Sequence, residues 1–226
     1  MSATHPCFAF AAYRLSGVVY GMLLNDAVEV AALGDALHQP PYKAPPQAPV
    51  LQLKPRNTLA GEGDSIVVPV GVDALSIGAT LGIVIGRTAC RVAVAQALDF
   101  ISGYTLVNDV SVPVPNHYRP SVRLRARDGF CPIGSMVVPA REVADADALA
   151  VVVHIDGHVA QRSSTAGRIR PVAQLLADVT EFMTLRPGDL LLLGAAANAP
   201  LARAGQMVSI QIDGLGRLTN HLVAAS

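Results

Sequence analysis

Apolar positions along the chain fall in short runs rather than long helical stripes. Val50 to Leu53, Ile66 to Val70, Thr80 to Ile85, Met136 to Val138, Leu149 to Ile155, Leu190 to Leu193 and Val208 to Ile212 are rich in Val, Ile and Leu, with Gly, Pro or Asp at or near their ends. Such runs between turn residues predict strands. The segment Val153-His154-Ile155-Asp156-Gly157-His158-Val159 predicts a hairpin, because Asp-Gly tolerates the positive φ angles of a type I′ turn. In that hairpin Ile155 pairs with His158, so His154 lies on the opposite face and the two imidazoles cannot share a metal ion.

Two segments predict helices. Pro171 to Thr184 places Val172, Leu175, Leu176, Val179, Phe182 and Met183 on one face, opens on a proline and stops before Pro187-Gly188. Val92 to Ser102 is the other. Many strands and few helices, not alternating one for one, predict a β-rich α+β fold rather than a doubly wound sheet. From Gly34 to Pro55 the chain is dense in proline (Pro40, Pro41, Pro45, Pro46, Pro49, Pro55), which disfavours a helix interior or a central strand and predicts an extended connector. The expected organisation is an N-terminal apolar unit with its connector over residues 1–48, then a main domain over residues 49–226.

Composition narrows the function. Of 226 residues 51% are hydrophobic and 15% charged, with Lys+Arg 17 against Asp+Glu 17. A chain of this kind buries roughly 70% of its unfolded surface and is not intrinsically disordered. Neutrality argues against a nucleic-acid-binding domain or a membrane-surface helix. Cys7, Cys90 and Cys131 are far apart and form no C-x-x-C pair, so neither a disulfide framework nor a thiolate zinc site is expected. Without a run of about 18 apolar residues, the expected location is the cytoplasm. No G-x-S-x-G, Walker A or strand-linked G-x-G-x-x-G occurs, which argues against a nucleophile elbow and against nucleotide binding.

Polar residues converge in one region. The run Gly103 to Ser111 stays apolar until Asn108 and Asp109, and a carboxylate ending a buried strand needs a partner. His117, Tyr118, Arg119, Arg123, Arg125 and Arg127 follow. If that stretch is extended, Arg123, Arg125 and Arg127 line one face as an anion clamp. A solvated edge strand that uses charge against aggregation is an equal alternative.

Tyr42-Lys43-Ala44-Pro45-Pro46, Leu53 to Thr58, Gly103 to Ser111, Arg127 to Gly134 and Glu181 to Asp189 together resemble the fumarylacetoacetate hydrolase family, over nearly the whole chain from about residue 18. The resemblance implies a mixed β roll with few helices, usually dimeric. It also implies a Mg²⁺ or Mn²⁺ ion, held by a Glu-x-Glu pair and an Asp, that polarises a keto acid and stabilises an enolate. More narrowly, the motifs resemble members of 4-hydroxyphenylacetate catabolism that decarboxylate 5-oxopent-3-ene-1,2,5-tricarboxylate and isomerise 2-hydroxyhepta-2,4-diene-1,7-dioate to 2-oxohept-3-ene-1,7-dioate. In some of these the two halves are separate subunits, and this chain has the length of the first.

Candidate catalytic residues are Asp109, as a proton shuttle, and Arg125; candidate substrate contacts are Lys54, Tyr118, Arg119, Arg123, Arg127 and Gln161. The family's metal aspartate falls on Asp109, but its glutamate pair falls on Gly78 and Thr80, an early histidine on Glu29, an arginine on Pro113 and a lysine on Arg125. The Gly-Thr-Pro turn reads Gly194-Ala195-Ala196. Loss of both glutamates beside an arginine cluster predicts a cationic pocket suited to a di- or tricarboxylate. Two readings follow: a decarboxylase or isomerase subunit working without its own metal, or a catalytically degenerate partner of a metal-bearing sister chain. Either would be a homodimer or a heteromer.

Overall fold

The computed structural model describes residues 17–114, 117 and 121–225. Its strands begin with β1 (Val19–Leu23), β2 (Val50–Lys54), β3 (Leu59–Ala60), β4 (Ser65–Val68), β5 (Leu75–Ser76), β6 (Ala79–Ile85), β7 (Ile101–Asn108) and β8 (Cys131–Pro132). They continue with β9 (Val138–Pro139), β10 (Ala150–Ile155), β11 (His158–Ser164), β12 (Leu190–Leu192), β13 (Leu201–Ala202), β14 (Met207–Ile212) and β15 (Gly216–Ala224). The α-helices are α1 (Ala27–Leu33), α2 (Val122–Arg125) and α3 (Val172–Phe182). The fold is therefore β-rich with few helices, as expected.

A six-stranded sheet, order β2-β1-β12-β6-β7-β9, packs against a five-stranded sheet, order β11-β10-β14-β15-β4. Every residue of β6 is buried. Leu81, Ile83 and Ile85 join Leu106, Val153, Ile210 and Leu218 in the main core, whereas Val84 joins Val19, Val107, Leu190 and Leu192 in a second cluster. Burial of both faces explains why this strand reads as a continuous apolar run instead of an alternation. β1, from the N-terminal apolar unit, lies between β2 and β12. β2 is an edge strand, the position that proline-rich flanks tolerate.

The hairpin forms as predicted, with φ of 51° at Asp156 and 80° at Gly157 and Ile155 opposite His158. Helix α3 buries Val172, Leu175, Leu176 and Val179, each worth roughly 1.5–3 kcal/mol of burial. Phe182, assigned to the same face, is instead 62% exposed because the helix ends there. The stretch Val92 to Ser102 yields a 3-10 helix over Val94–Phe100. It buries only Ala97, lacks a side-chain cap and runs straight into β7. The proline-dense segment is not wholly extended, since Gly34–His38 forms a 3-10 turn ahead of its first proline. Among the described residues no helix is long and apolar enough to cross a membrane.

The arginine segment departs from expectation. Residues 122–125 are helical: Leu124 N and Arg125 N donate to Ser121 O at 2.9 and 3.1 Å, and Ala126 N to Val122 O at 2.8 Å. Alternate residues on a helix point about 200° apart, so Arg123 and Arg125 diverge instead of forming one face.

Candidate active-site cleft

β1 and β12 run parallel and end beside the start of β6 and the end of β7, where Ala79 pairs with Asn108. The chain turns away from the sheet there and leaves a cavity of about 180 Å³ bordered by Asp109, Ser111, Glu29, His117, Arg125 and the loop 195–199. A second, more apolar hollow of about 540 Å³, lined by Leu23, Val50, Leu53 and Val122, adjoins it through His117 and Arg125.

Asp109 has the partner its burial demands. Oδ1 accepts from Lys54 Nζ at 2.7 Å and Oδ2 from Gln52 Nε2 at 2.7 Å, while Arg125 Nη1 stands 3.9 Å from Oδ2. Lys54 and Gln52 are two apart on β2 and so share a face. The Lys54 ammonium also donates to Arg125 O at 3.1 Å, and its side chain is fully enclosed. It therefore serves Asp109 and the α2 backbone rather than the open cavity. Burial pushes the adjacent Cys131 thiol up to about 12, which removes it as a thiolate nucleophile.

The donors do not fit a hard divalent cation. A Cβ at Gly78 would lie 2.5 Å from Asp109 O, so backbone fills the space a side chain there would need. Thr80 Oγ1 accepts from Gly194 N at 3.0 Å and holds the turn after β12, where Gly194 has φ of 101°. Among the described residues no three His, Cys, Asp or Glu side chains converge on a metal position. Asp109 alone, with both oxygens committed and two cations beside it, is a poor Mg²⁺ or Mn²⁺ ligand.

The opposite wall is built on one helix cap and two long-range ties. Asp26 Oδ1 accepts from Val28 N at 2.9 Å and Glu29 N at 3.0 Å, starting α1, and its other oxygen meets Arg168 Nη1. Burial lowers the Arg168 pKa against the pull of Asp26. Asn25 Nδ2 donates to Leu193 O at 2.8 Å and Arg170 O at 3.0 Å, tying the exit of β1 to that of β12. Glu29, in the first turn of α1, reaches His117, with Oε1 and Nε2 3.3 Å apart.

The other sequence candidates scatter. Of Arg123, Arg125 and Arg127, only Arg125 borders the cleft. Arg123 is exposed, and Arg127 donates from Nε to Arg123 O at 3.0 Å while bordering a separate hollow with Val67, Val70 and Phe130. With Glu29 present and two arginines absent, the cleft is closer to charge balance than the arginine cluster implies. Gln161 supports the cleft from behind, donating to the carbonyls of Ala197 at 2.8 Å and Asn198 at 3.1 Å. Tyr118 and Arg119 lie outside the described residues. Sequence reasoning missed Gln52, whose two-residue spacing from Lys54 was the available signal. It also missed the pairing of Glu29 with His117, for which no local signal exists.

Known proteins share this architecture. The family model described as fumarylacetoacetate (FAA) hydrolase C-terminal matches residues 18–223. The 4-hydroxyphenylacetate degradation bifunctional isomerase/decarboxylase of Salmonella dublin is 41% identical over 210 residues, 93% of this chain and 48% of that protein. The homoprotocatechuate catabolism bifunctional isomerase/decarboxylase of Escherichia coli is 38% identical over 92% of this chain and 48% of its own length. The chain thus spans about half the length of these curated relatives. Among solved structures, 2-hydroxyhepta-2,4-diene-1,7-dioate isomerase from Mycobacterium marinum is 30% identical with a TM-score of 0.75, covering 96% of this chain and 78% of that one. Fumarylpyruvate hydrolase from Pseudomonas aeruginosa, in complex with Mn²⁺ and pyruvate, shares the fold at 22% identity, with a TM-score of 0.78 and coverage of 100% and 99%.

Proposed function

Because the chain belongs to the fumarylacetoacetate hydrolase family, we propose that it forms one half of an isomerase/decarboxylase of 4-hydroxyphenylacetate breakdown and binds an unsaturated di- or tricarboxylate in a cleft with no resident metal. The observation that carries this reading is the exchange of cation at the cleft floor. Lys54 neutralises Asp109, which leaves Arg125, 3.9 Å from Asp109, to attract an anion. A guanidinium offers two parallel N–H donors to a carboxylate and remains charged throughout the reaction. The apolar hollow beside Arg125 suits the carbon chain of a C7 dioate, and Ser76 and Ser111 border the polar end. In this reading Asp109 holds Lys54 and Gln52 in place, and Gln161 keeps the loop 195–199 in shape.

A test uses the full chain with 5-oxopent-3-ene-1,2,5-tricarboxylate and with 2-hydroxyhepta-2,4-diene-1,7-dioate, with and without EDTA. Turnover that EDTA leaves intact and Arg125→Ala lowers by about 10- to 100-fold in kcat/KM supports the reading, because a hydrogen bond to a charged group is worth about 1.5–3 kcal/mol. The absence of carboxylate ligands at Gly78 and Thr80 favours a second reading, in which this half supports a metal-bearing sister half. Absence of both binding and turnover by the chain alone, with activity only in a heteromer, would select it.

A further inference from the structure

We propose that His117, held by Glu29, is the proton-transfer residue of this cleft and serves the dienol-to-enone proton shift. The inference rests on the dicarboxylate reading of the cleft and names its chemistry. Asp109, the carboxylate first considered as a shuttle, accepts two hydrogen bonds at 2.7 Å and has neither oxygen free to receive a substrate proton. His117 is placed differently. Its imidazole stands where the two cavities meet, so it borders both the polar end beside Arg125 and the apolar trough.

The local geometry prepares that imidazole. The His117 backbone N–H donates to Tyr42 Oη at 2.8 Å, which anchors the segment. Nε2 faces Glu29 Oε1 at 3.3 Å, which favours the tautomer that keeps its proton on Nε2 and leaves Nδ1 as the acceptor. Nδ1 is buried with no hydrogen-bond partner among the described residues. A carboxylate that orients an imidazole and compensates its charge when it becomes imidazolium is the arrangement general base catalysis requires. Glu29 is then a positioning residue, itself set by the Asp26 cap at the start of α1.

The proton balance closes without a co-reactant. In 2-hydroxyhepta-2,4-diene-1,7-dioate the O–H bond at C2 breaks and its proton passes to His117. The C2–O bond becomes a carbonyl, the C2=C3 pair moves to C3=C4, and the C4=C5 pair forms a C–H bond at C5 with the proton His117 returns. Nothing is oxidised, and one proton leaves as one arrives. Arg125 holds the C1 carboxylate and the developing oxyanion at C2. Loss of CO₂ from the tricarboxylate would send its electron pair through the conjugated double bond to the same oxyanion, so the proton shift is the step in which His117 is distinctive.

The experiment follows deuterium. The full chain is incubated with 2-hydroxyhepta-2,4-diene-1,7-dioate in D₂O, and label at C5 is read by NMR. The wild-type chain is expected to place one deuterium at C5. His117→Ala should slow labelling by about 10²-fold or more, and Glu29→Gln by about 10-fold. Added imidazole should restore labelling in His117→Ala, which a packing defect would not allow, and circular dichroism melts confirm that each variant is folded. Wild-type rates in His117→Ala, or a slow variant that imidazole does not rescue, would overturn the proposal. So would a wild-type chain that binds the dioate but never labels C5; binding lost in Arg125→Ala would then leave the dicarboxylate reading standing. Failure to bind the dioate at all would remove that reading as well.

Discussion

Two buried ion pairs brace the cleft from opposite sides, and they differ in what closes over them. Lys54–Asp109 lies at the floor, and Asp109 keeps one edge on the cavity. Asp26–Arg168 lies behind the far wall, with Asp26 also capping α1 and Arg168 also donating to Ser164 O at 3.1 Å. The same kind of pair thus serves two ends. The closed pair sets where α1, and with it Glu29, stands. The open pair decides the charge a ligand meets, because Lys54 cancels the one carboxylate at the floor. Buried pairs are weak evidence of net stability, yet removing one partner is costly since the other charge stays buried alone.

That comparison predicts an order of effects. Lys54→Met leaves Asp109 only the Gln52 hydrogen bond and the looser Arg125 contact, and should lose about 3–5 kcal/mol in urea denaturation, with Asp109→Asn in the same chain recovering much of it. Arg168→Met leaves Asp26 its two backbone donors, so a smaller loss of about 2–3 kcal/mol is expected, without change in the charge at the cleft floor. An equal or reversed order would break the distinction between open and closed pairs. Gly78→Ala sharpens it at the floor alone. The added Cβ meets Asp109 O at 2.5 Å, so a loss of about 1–3 kcal/mol should come with weakened dioate binding.

The smallest effect is a control remote from both pairs. The Met207 N–H and the Gln206 amide beside Asp156 hold its carboxyl below the usual range. Its folded value is depressed, so its contribution to stability is present above the unfolded value of about 3.9 and is lost as pH falls through the folded one. Asp156→Asn should therefore flatten only the acid limb of a stability-versus-pH curve, and cleft binding should stay unchanged.

Local signals were legible where one segment carries its own cause. Asp156-Gly157 sets its own turn, and the apolar spacing of Val172 to Val179 sets its own helix, so both elements formed where the pattern put them. The arginine segment failed for the same reason in reverse. Spacing by two means one face only if the backbone is extended, and hydrogen bonds to Ser121 made it helical. The partner of Asp109 stands 55 positions earlier in the chain, a separation at which spacing carries no information.

The sequence by itself determined the strand-rich composition of the core, the hairpin, α3 and the motifs that mark the family, because these depend on side-chain pattern within a few residues. Tertiary structure decided which charges meet. Strand pairing brought Lys54 and Gln52 on the edge strand to Asp109 at the end of β7, and packed Asp109 O against the space above Gly78. It also set Glu29 against His117 from segments that share no local signal. Burial then gave those meetings their weight, since a charge removed from water must find its partner wherever the fold has placed one.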